Sequence, residues 1–317
     1  MDLSNVTAFR VSHFSIEGFP GLQDWPSRLI IFGVFLFAYT AALLENIMFI
    51  VAIKMDRELH SPMYFFICHL AIVDILLPSV TIPEMLYYLA SDDKIVSFGS
   101  CLLQMAFYVI VTMTEIGILT VMAYDRYLAI CNPLHYPNIM TENYAVRLTV
   151  LCWMPGICLA VLCGSFVVVV TFCGPNKVLD YFCQYSSIIS LACGDVRLHS
   201  LLSLALALLT MAVMICFIIF SYIKILITVF KVASAEGRRK AFSTCAGHLL
   251  VFAVFITVLL FVLISYRVPR FSADSRTLAA VVQNILPPLA NPIIYCLRTK
   301  EIRASFVKVM NRNVFAV

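Results

Sequence analysis

Charged residues are scarce in this sequence: Asp, Glu, Lys and Arg make up 13% of its 317 residues, about half the share found in soluble domains. That scarcity excludes a soluble globular protein, which needs more polar surface than this chain offers. The charge balance is small as well, +4 from 22 basic and 18 acidic residues, without the concentrated basic face of a nucleic-acid binder. There is no low-complexity tract and no internal repeat, so the inverted repeat of a secondary transporter is missing. No nucleophile–base pair and no metal-spaced histidine cluster point to an enzyme. What is abundant is apolar: 62% of residues are hydrophobic and the mean hydropathy is +0.95. Disorder is excluded by the same numbers. The long unbroken apolar runs exclude a β-barrel, whose strands alternate apolar and polar residues.

A membrane-crossing helix needs about 20 mostly apolar residues. Seven stretches qualify: Leu29–Ile53, Met63–Leu89, Cys101–Tyr124, Leu148–Phe172, Leu201–Ile223, Ala241–Tyr266 and Thr277–Leu297. The expected fold is an all-α membrane protein, a seven-helix bundle over 29–297. A polar amino-terminal segment, 1–28, precedes it and a short tail, 298–317, follows. No cleavable signal peptide is expected, because the first apolar core is too long. With the amino terminus outside, 14 of the 22 Lys and Arg fall on the cytoplasmic side, as the positive-inside rule requires. The sequon Asn5-Val6-Thr7 then lies outside, where Asn5 is open to glycosylation.

Twelve cysteines occur, four of them on the expected outer side: Cys101, Cys173, Cys183 and Cys193. An even number on the oxidising side predicts two disulfides. Three pairings are open, and the residues alone do not choose among them. The other eight read as small apolar packing residues.

Ionisable groups within a span are costly and mark function. The chain has few: Glu45, Asp74, Glu84, Glu115 and His248. In the third span Tyr108, Thr112, Glu115, Leu119, Met122 and Arg126 recur at spacings of 4, 3, 4, 3 and 4, which is one helix face. The stripe is about 27 Å long. In the seventh span Asn284, Pro288, Asn291 and Tyr295 share a face, and Pro287, Pro288 and Pro292 break or kink the helix. Such a break persists in lipid only where polar neighbours satisfy the backbone; Asn46, Asp74, Glu115 and Asn291 are the candidates. Two mid-membrane carboxylates cannot both stay charged and unpaired. Asp74 and Glu115 either share a proton or hold Na⁺ with Asn46 and Asn291 as further oxygen ligands; no other cofactor is expected.

The motifs now converge. MAYDRYLAIC (Met122–Cys131) closes the third span, PMYFFICHLAIVD (Pro62–Asp74) opens the second, KAFSTCAGHL (Lys240–Leu249) opens the sixth and NPIIY (Asn291–Tyr295) closes the seventh. Together, and in this order, they resemble a rhodopsin-like G-protein-coupled receptor and specifically an odorant receptor. Pro20-Gly21-Leu22 before the first span is similar to the class I, fish-like branch. The resemblance implies disulfides Cys101–Cys183 and Cys173–Cys193. It assigns Asp125, Arg126, Tyr127, Tyr222, Asn291, Pro292 and Tyr295 to activation. It further implies a stimulatory G protein that raises cyclic AMP, and a multi-pass location in the plasma membrane, in the sensory cilia of olfactory neurons. The partners expected are a small odorant, that G protein and membrane lipid, with no nucleic acid. Two features depart from the broader receptor family: Glu45 stands before Asn46 where glycine is common, and the sixth span lacks a hinge proline.

Two other functions share the seven-helix pattern. A retinal protein needs a Schiff-base lysine in the last span, and Thr277–Leu297 has none. A rhodopsin-like receptor for a non-odorant hormone or metabolite has the same fold and stays open as the alternative. For the odorant reading, the expected ligand lining is Tyr108 and Thr112 on the third span, Ser203, Leu206 and Thr210 on the fifth, and Leu259, Leu263 and Arg267 on the sixth. A guanidinium above an apolar slot suits a carboxylic acid with a short hydrocarbon tail.

Overall fold

The computed structural model describes residues 11–91, 93–172, 175–193, 197–231, 235–268 and 270–314. Among them, seven helices are long and apolar enough to cross a membrane. They are α1 (Trp25–Met55), α2 (Pro62–Ala90), α3 (Phe98–Cys131), α5 (Glu142–Val169), α7 (Arg197–Phe230), α8 (Ala235–Arg267) and α9 (Ala273–Arg298). Three shorter helices complete the α set: α4 (Tyr136–Ile139), α6 (Tyr185–Ile189) and α10 (Lys300–Val314). The seven expected spans are all present. Several helices outrun them, because an apolar count finds only the lipid-crossing part while polar turns extend beyond it. Helix α1 starts four residues before the apolar run. Asp24 caps it by accepting from the Ser27 amide at 3.1 Å, and the bonds to Ser27 hold this exposed carboxyl below its usual range.

In α2 and α9, 61% of the apolar window is buried, against 22% in α1 and α5. The first pair is therefore central and the second peripheral. Phe37, Val161, Leu162 and Val169 stand exposed on the outer faces, a surface that belongs in lipid rather than water. Lipid gives no hydrophobic drive for helix association, so close van der Waals packing through small residues has to supply it. Helices α3 and α5 meet that way. A β-carbon on Gly156 would lie 2.8 Å from the Ile110 carbonyl oxygen, and one on Gly117 would lie 2.8 Å from the Cys152 β-carbon.

Helicity is not complete. Strands β1 (His13–Ile16), β2 (Ile95–Ser97) and β3 (Lys177–Val178) form a small sheet in the order β2-β1-β3. Strand β1 runs antiparallel to β2, with His13 opposite Ser97, and parallel to β3, with Ser15 opposite Lys177. Phe14 and Ile16 point inward and are buried. The sheet is an addition to the expected helical bundle: strands of two to four residues carry too little periodicity to be read. The sheet caps one end of the bundle. Gly18, with φ of 61°, turns the chain so that its carbonyl accepts from Thr277 Oγ1 at 3.1 Å, and the Gly21 amide donates to Asp274 at 3.0 Å. Arg28 of α1 is buried and donates to carbonyls at the end of α2, those of Leu89 and of the capping residue Ser91, at 2.9 and 2.8 Å. A cation at a helix C-terminus is favourable on dipole grounds as well.

At the opposite end α10 folds back on α1. Ile302 is buried, Ser305 donates to the Ala52 carbonyl at 2.9 Å, and Lys308 pairs with Asp56 at 3.2 Å. The short tail expected after residue 297 is thus largely an amphipathic helix.

Candidate functional site

At the capped end, Tyr108 and Thr112 of α3 are half-buried. The Thr112 hydroxyl has no partner among the described residues. Tyr108 is stacked obliquely on Phe182, with ring centroids 4.7 Å apart. Of the residues expected on the fifth span, Thr210 donates to the Leu206 carbonyl of its own helix at 2.8 Å, and Leu206 is 39% exposed. Leu259 and Leu263 of α8 are half-buried. The side chains of Ser203 and Arg267 lie outside the described residues, as do Asn5 and Cys173. The Cys101–Cys183 disulfide is present, with Cα atoms 5.3 Å apart, and joins the start of α3 to the segment before α6. Cys193 is also disulfide-bonded.

Buried Gln104 pins that segment beside the disulfide, with half-buried Glu84 behind it. Gln104 accepts from the Cys183 amide at 2.8 Å and donates to the Val80 carbonyl at 3.0 Å and to Glu84. Glu84 also accepts from Tyr88. Glu84, an isolated acid in the sequence, is therefore satisfied by a neighbour on its own helix and one on α3.

The middle of the bundle holds the second group. Asn291 Nδ2 donates to both Asp74 oxygens, at 3.2 and 3.0 Å. Glu115 lies within electrostatic reach of Asp74, and neither of its oxygens has a protein partner. The side-chain carbonyls of Asn46 and Asn291 also lack one. All four residues are buried. A buried cluster rich in acceptors and poor in donors fits a hard monovalent cation or a proton, since bare acceptors in lipid are costly.

Asn46 has a second task. Its amide donates to the Pro288 carbonyl at 2.9 Å. Pro292, four residues on, has no N–H, so it leaves that carbonyl free. Of the break or kink expected from the seventh-span prolines, a full break is absent: α9 is one helix from Ala273 to Arg298 with Pro287, Pro288 and Pro292 inside it.

The third group sits at the α10 end. Arg126 donates through Nε to Asp125 at 2.9 Å and through a second nitrogen to the same oxygen. The other Asp125 oxygen accepts from Tyr136 at 2.7 Å. Tyr127 packs on Phe220, with centroids 6.3 Å apart. Tyr222 is buried within electrostatic reach of Arg126, and its hydroxyl is unpartnered among the described residues. Tyr295 meets His248 at 3.5 Å. Sequence reasoning placed Asp125 beside Arg126. It missed Tyr136, because nothing in the spacing shows that α4 turns back under α3.

The three groups form one polar axis along α3 and α9, from the capped mouth through a buried acid cluster to an arginine clamp. Such an axis can couple a ligand at one end to a partner at the other. Among the described residues no cluster of three His, Cys, Asp or Glu side chains is placed to hold a metal.

Comparison with known proteins points to one family. A family model described as olfactory receptor matches residues 35–313. The chain is 38% identical to human olfactory receptor 6Y1 over 95% of its own length and 91% of the relative's. It is 37% identical to human olfactory receptor 6N1, covering 98% of both chains, and 36% identical to mouse olfactory receptor 6B9, covering 97% and 96%. These matches identify the family and assign no branch within it. The chain belongs to the olfactory receptor family: it is a multi-pass, odorant-type G-protein-coupled receptor and not an enzyme.

Proposed function

We propose that the sheet-capped end faces outside and binds a small odorant between the outer halves of α3, α7, α8 and α9. The ligand we assign is a carboxylic acid with a short apolar tail, held through Arg267. The α10 end then faces the cytoplasm and couples to a stimulatory G protein that raises cyclic AMP, in the plasma membrane of olfactory sensory cilia. The observation that carries this reading is the Asp125–Arg126 pair at one end of a polar axis whose other end is the half-buried Tyr108–Thr112 face.

A ligand shifts such a receptor only by binding one packing better than the other. In the resting packing Asp125 holds Arg126. In the active packing the inner end of α8 moves out, and Arg126 leaves Asp125 for the unpartnered hydroxyl of Tyr222. The space opened takes a helix of the G protein. Asp74, Glu115, Asn46 and Asn291 hold Na⁺ or a shared proton in the resting state, which removes the cost of bare acceptors at mid-membrane.

The test is a cyclic-AMP reporter in transfected cells, run against acids, amines, alcohols and steroids, with an amino-terminal epitope tag stained on intact cells. A short-chain acid is expected to raise cyclic AMP and the tag to be accessible. A response confined to a hormone or metabolite, or a tag reached only after permeabilisation, overturns the reading.

A further inference from the structure

The segment between β3 and α6 sends two aromatic side chains into the bundle. Tyr181 and Phe182 are 0% exposed, and Tyr181 is the bulkiest fully buried side chain among the described residues. Its ring lies among Ile82, Met85 and Leu86 of α2 and Ala280, Val281 and Ile285 of α9. It leans on Phe182 with centroids 4.7 Å apart, and Phe182 leans in turn on Tyr108. At the far end of this slot the Tyr181 hydroxyl accepts from Asn284 Nδ2 at 2.6 Å and donates to the Ala280 carbonyl at 3.3 Å. Thr81 of α2 adjoins the same hydroxyl. Asn284 is itself fully buried, and its own carbonyl oxygen has no partner.

This is how a protein holds a small aromatic ligand: an apolar slot for the ring, and a few polar groups at the end that fix its orientation. The occupant here belongs to the chain. Both ends of its segment are tied, at Val178 by the sheet and at Cys183 by the disulfide to Cys101. Between them the Asp180 carbonyl accepts from the Gly18 amide at 3.0 Å, and the Asp180 carboxylate takes the Tyr181 amide at 2.9 Å and Ser187 at 3.2 Å. A ring tethered this way pays little entropy to stay bound, and its effective concentration is high. Asn284 and Ala280, which bond its hydroxyl, are on α9, whose Asn291 lies two turns further along the same face and donates to Asp74.

We propose that the slot between α2 and α9 is a binding site for a hydroxylated aromatic ring, occupied in this state by Tyr181 as a tethered internal ligand. A free phenol enters it when that side chain is withdrawn or removed. The site goes beyond the odorant reading, since its occupant comes from the receptor itself, and it is tested by stability rather than signalling.

Purified wild-type protein and Tyr181→Ala are heated with and without 4-methylphenol, which is the tyrosine side chain as a free molecule, or toluene, which lacks only the hydroxyl. The variant is expected to unfold several degrees below wild type. Saturating 4-methylphenol should recover most of that loss and toluene less than half of it, with wild type unmoved by either. Adding Asn284→Leu should abolish the advantage of the phenol over toluene. If the variant cannot be purified, its surface level in cells is read with each compound in the medium, and a several-fold rise with 4-methylphenol alone is expected. Equal rescue by both compounds, rescue by neither, or an unchanged phenol advantage in the Asn284→Leu background overturns the proposal. None of these readouts needs a G protein, so a silent receptor and an absent site give different results.

Discussion

The Tyr136 hydroxyl reaches Asp125 across 2.7 Å while the other Asp125 oxygen holds Arg126. Tyr136 therefore fixes the carboxylate that restrains the arginine. Burial, and after it the charge of Asp125, push the Tyr136 phenol above its ordinary range, so it stays a donor at any physiological pH. Removing that donor should weaken the restraint by about 1 kcal/mol, a shift of about fivefold in the resting–active balance. Tyr136→Phe is expected to raise cyclic AMP in the absence of agonist, whereas Arg126→Ala should abolish the response at unchanged surface expression. Basal cyclic AMP normalised to surface receptor checks both. An unchanged basal level in Tyr136→Phe removes Tyr136 from the clamp.

A second expectation concerns the bond from Asn46 to the Pro288 carbonyl. Asn46→Ala leaves a bare carbonyl in a dry core, at about 1–3 kcal/mol. In a Pro292→Ala background the restored N–H takes over that carbonyl, so the same substitution should cost much less. Thermal unfolding of the two single variants and the double variant forms the cycle. Additive losses mean that Asn46 does not stand in for the missing donor.

Much of this architecture is legible in the chain, for reasons that differ by level. Seven apolar runs give seven helices because lipid leaves backbone groups no partner outside a helix. The 4-3-4 spacing from Tyr108 to Arg126 gives one face of α3. Asn46 and Asn291 are legible as polar neighbours of a proline-rich helix, and the Asn46 amide stands in for the donor that Pro292 lacks. What depends on chain segments meeting far from their sequence neighbours was not legible. Tyr136 reaches Asp125 only because α4 turns back, and Tyr181 enters the bundle only because the disulfide and the sheet fix its segment at both ends. Neither side chain carries a periodic signal: Tyr136 opens a helix of only four residues and Tyr181 lies in an irregular segment.

The carboxylates at mid-membrane give a third expectation. If Na⁺ or a proton stabilises the resting packing, agonist potency of the wild type falls as either rises. Glu115→Gln removes one ionisable partner of that cation and should flatten the dependence. Dose–response curves in sodium and in N-methylglucamine buffers, each at two pH values, measure it. Wild type and variant shifting in parallel with both variables would show that the cluster holds neither.

Two glycines predict opposite signs for one substitution. At Gly156 a β-carbon would lie 2.8 Å from the Ile110 carbonyl oxygen and 2.9 Å from its α-carbon, whereas at Gly33 nothing lies within 4 Å. Gly156→Ala must push α3 and α5 apart, a cost of about 1–3 kcal/mol. Gly33→Ala meets no clash and gains about 0.5–1 kcal/mol of helix propensity. The unfolding temperature should fall for the first and hold or rise for the second. A fall of equal size in both removes the close-packing argument.

The last expectation bears on the ligand. Leu259, Leu263 and Arg267 follow one another at four-residue intervals on α8, so they rise along one face to the last residue of the helix. The two leucines are half-buried, which leaves them packed on one side and available on the other. A guanidinium above such a lining can hold a carboxylate through paired hydrogen bonds, and these are strongest where water is excluded. The competing role is a headgroup anchor, for which a long basic side chain at the end of a membrane helix is well suited. An acid and its methyl ester separate the two. They share the tail and the apolar contacts, and differ in the charge that Arg267 would pair. Arg267→Ala should weaken the acid by about 1.5–3 kcal/mol and the ester by far less, which is a loss of about one to two decades in potency. An anchor acts on the receptor rather than on the ligand, so it would lower both responses together or neither. Equal losses for acid and ester, or no loss for the acid, therefore assign Arg267 to the membrane interface and withdraw the carboxylic-acid assignment with it.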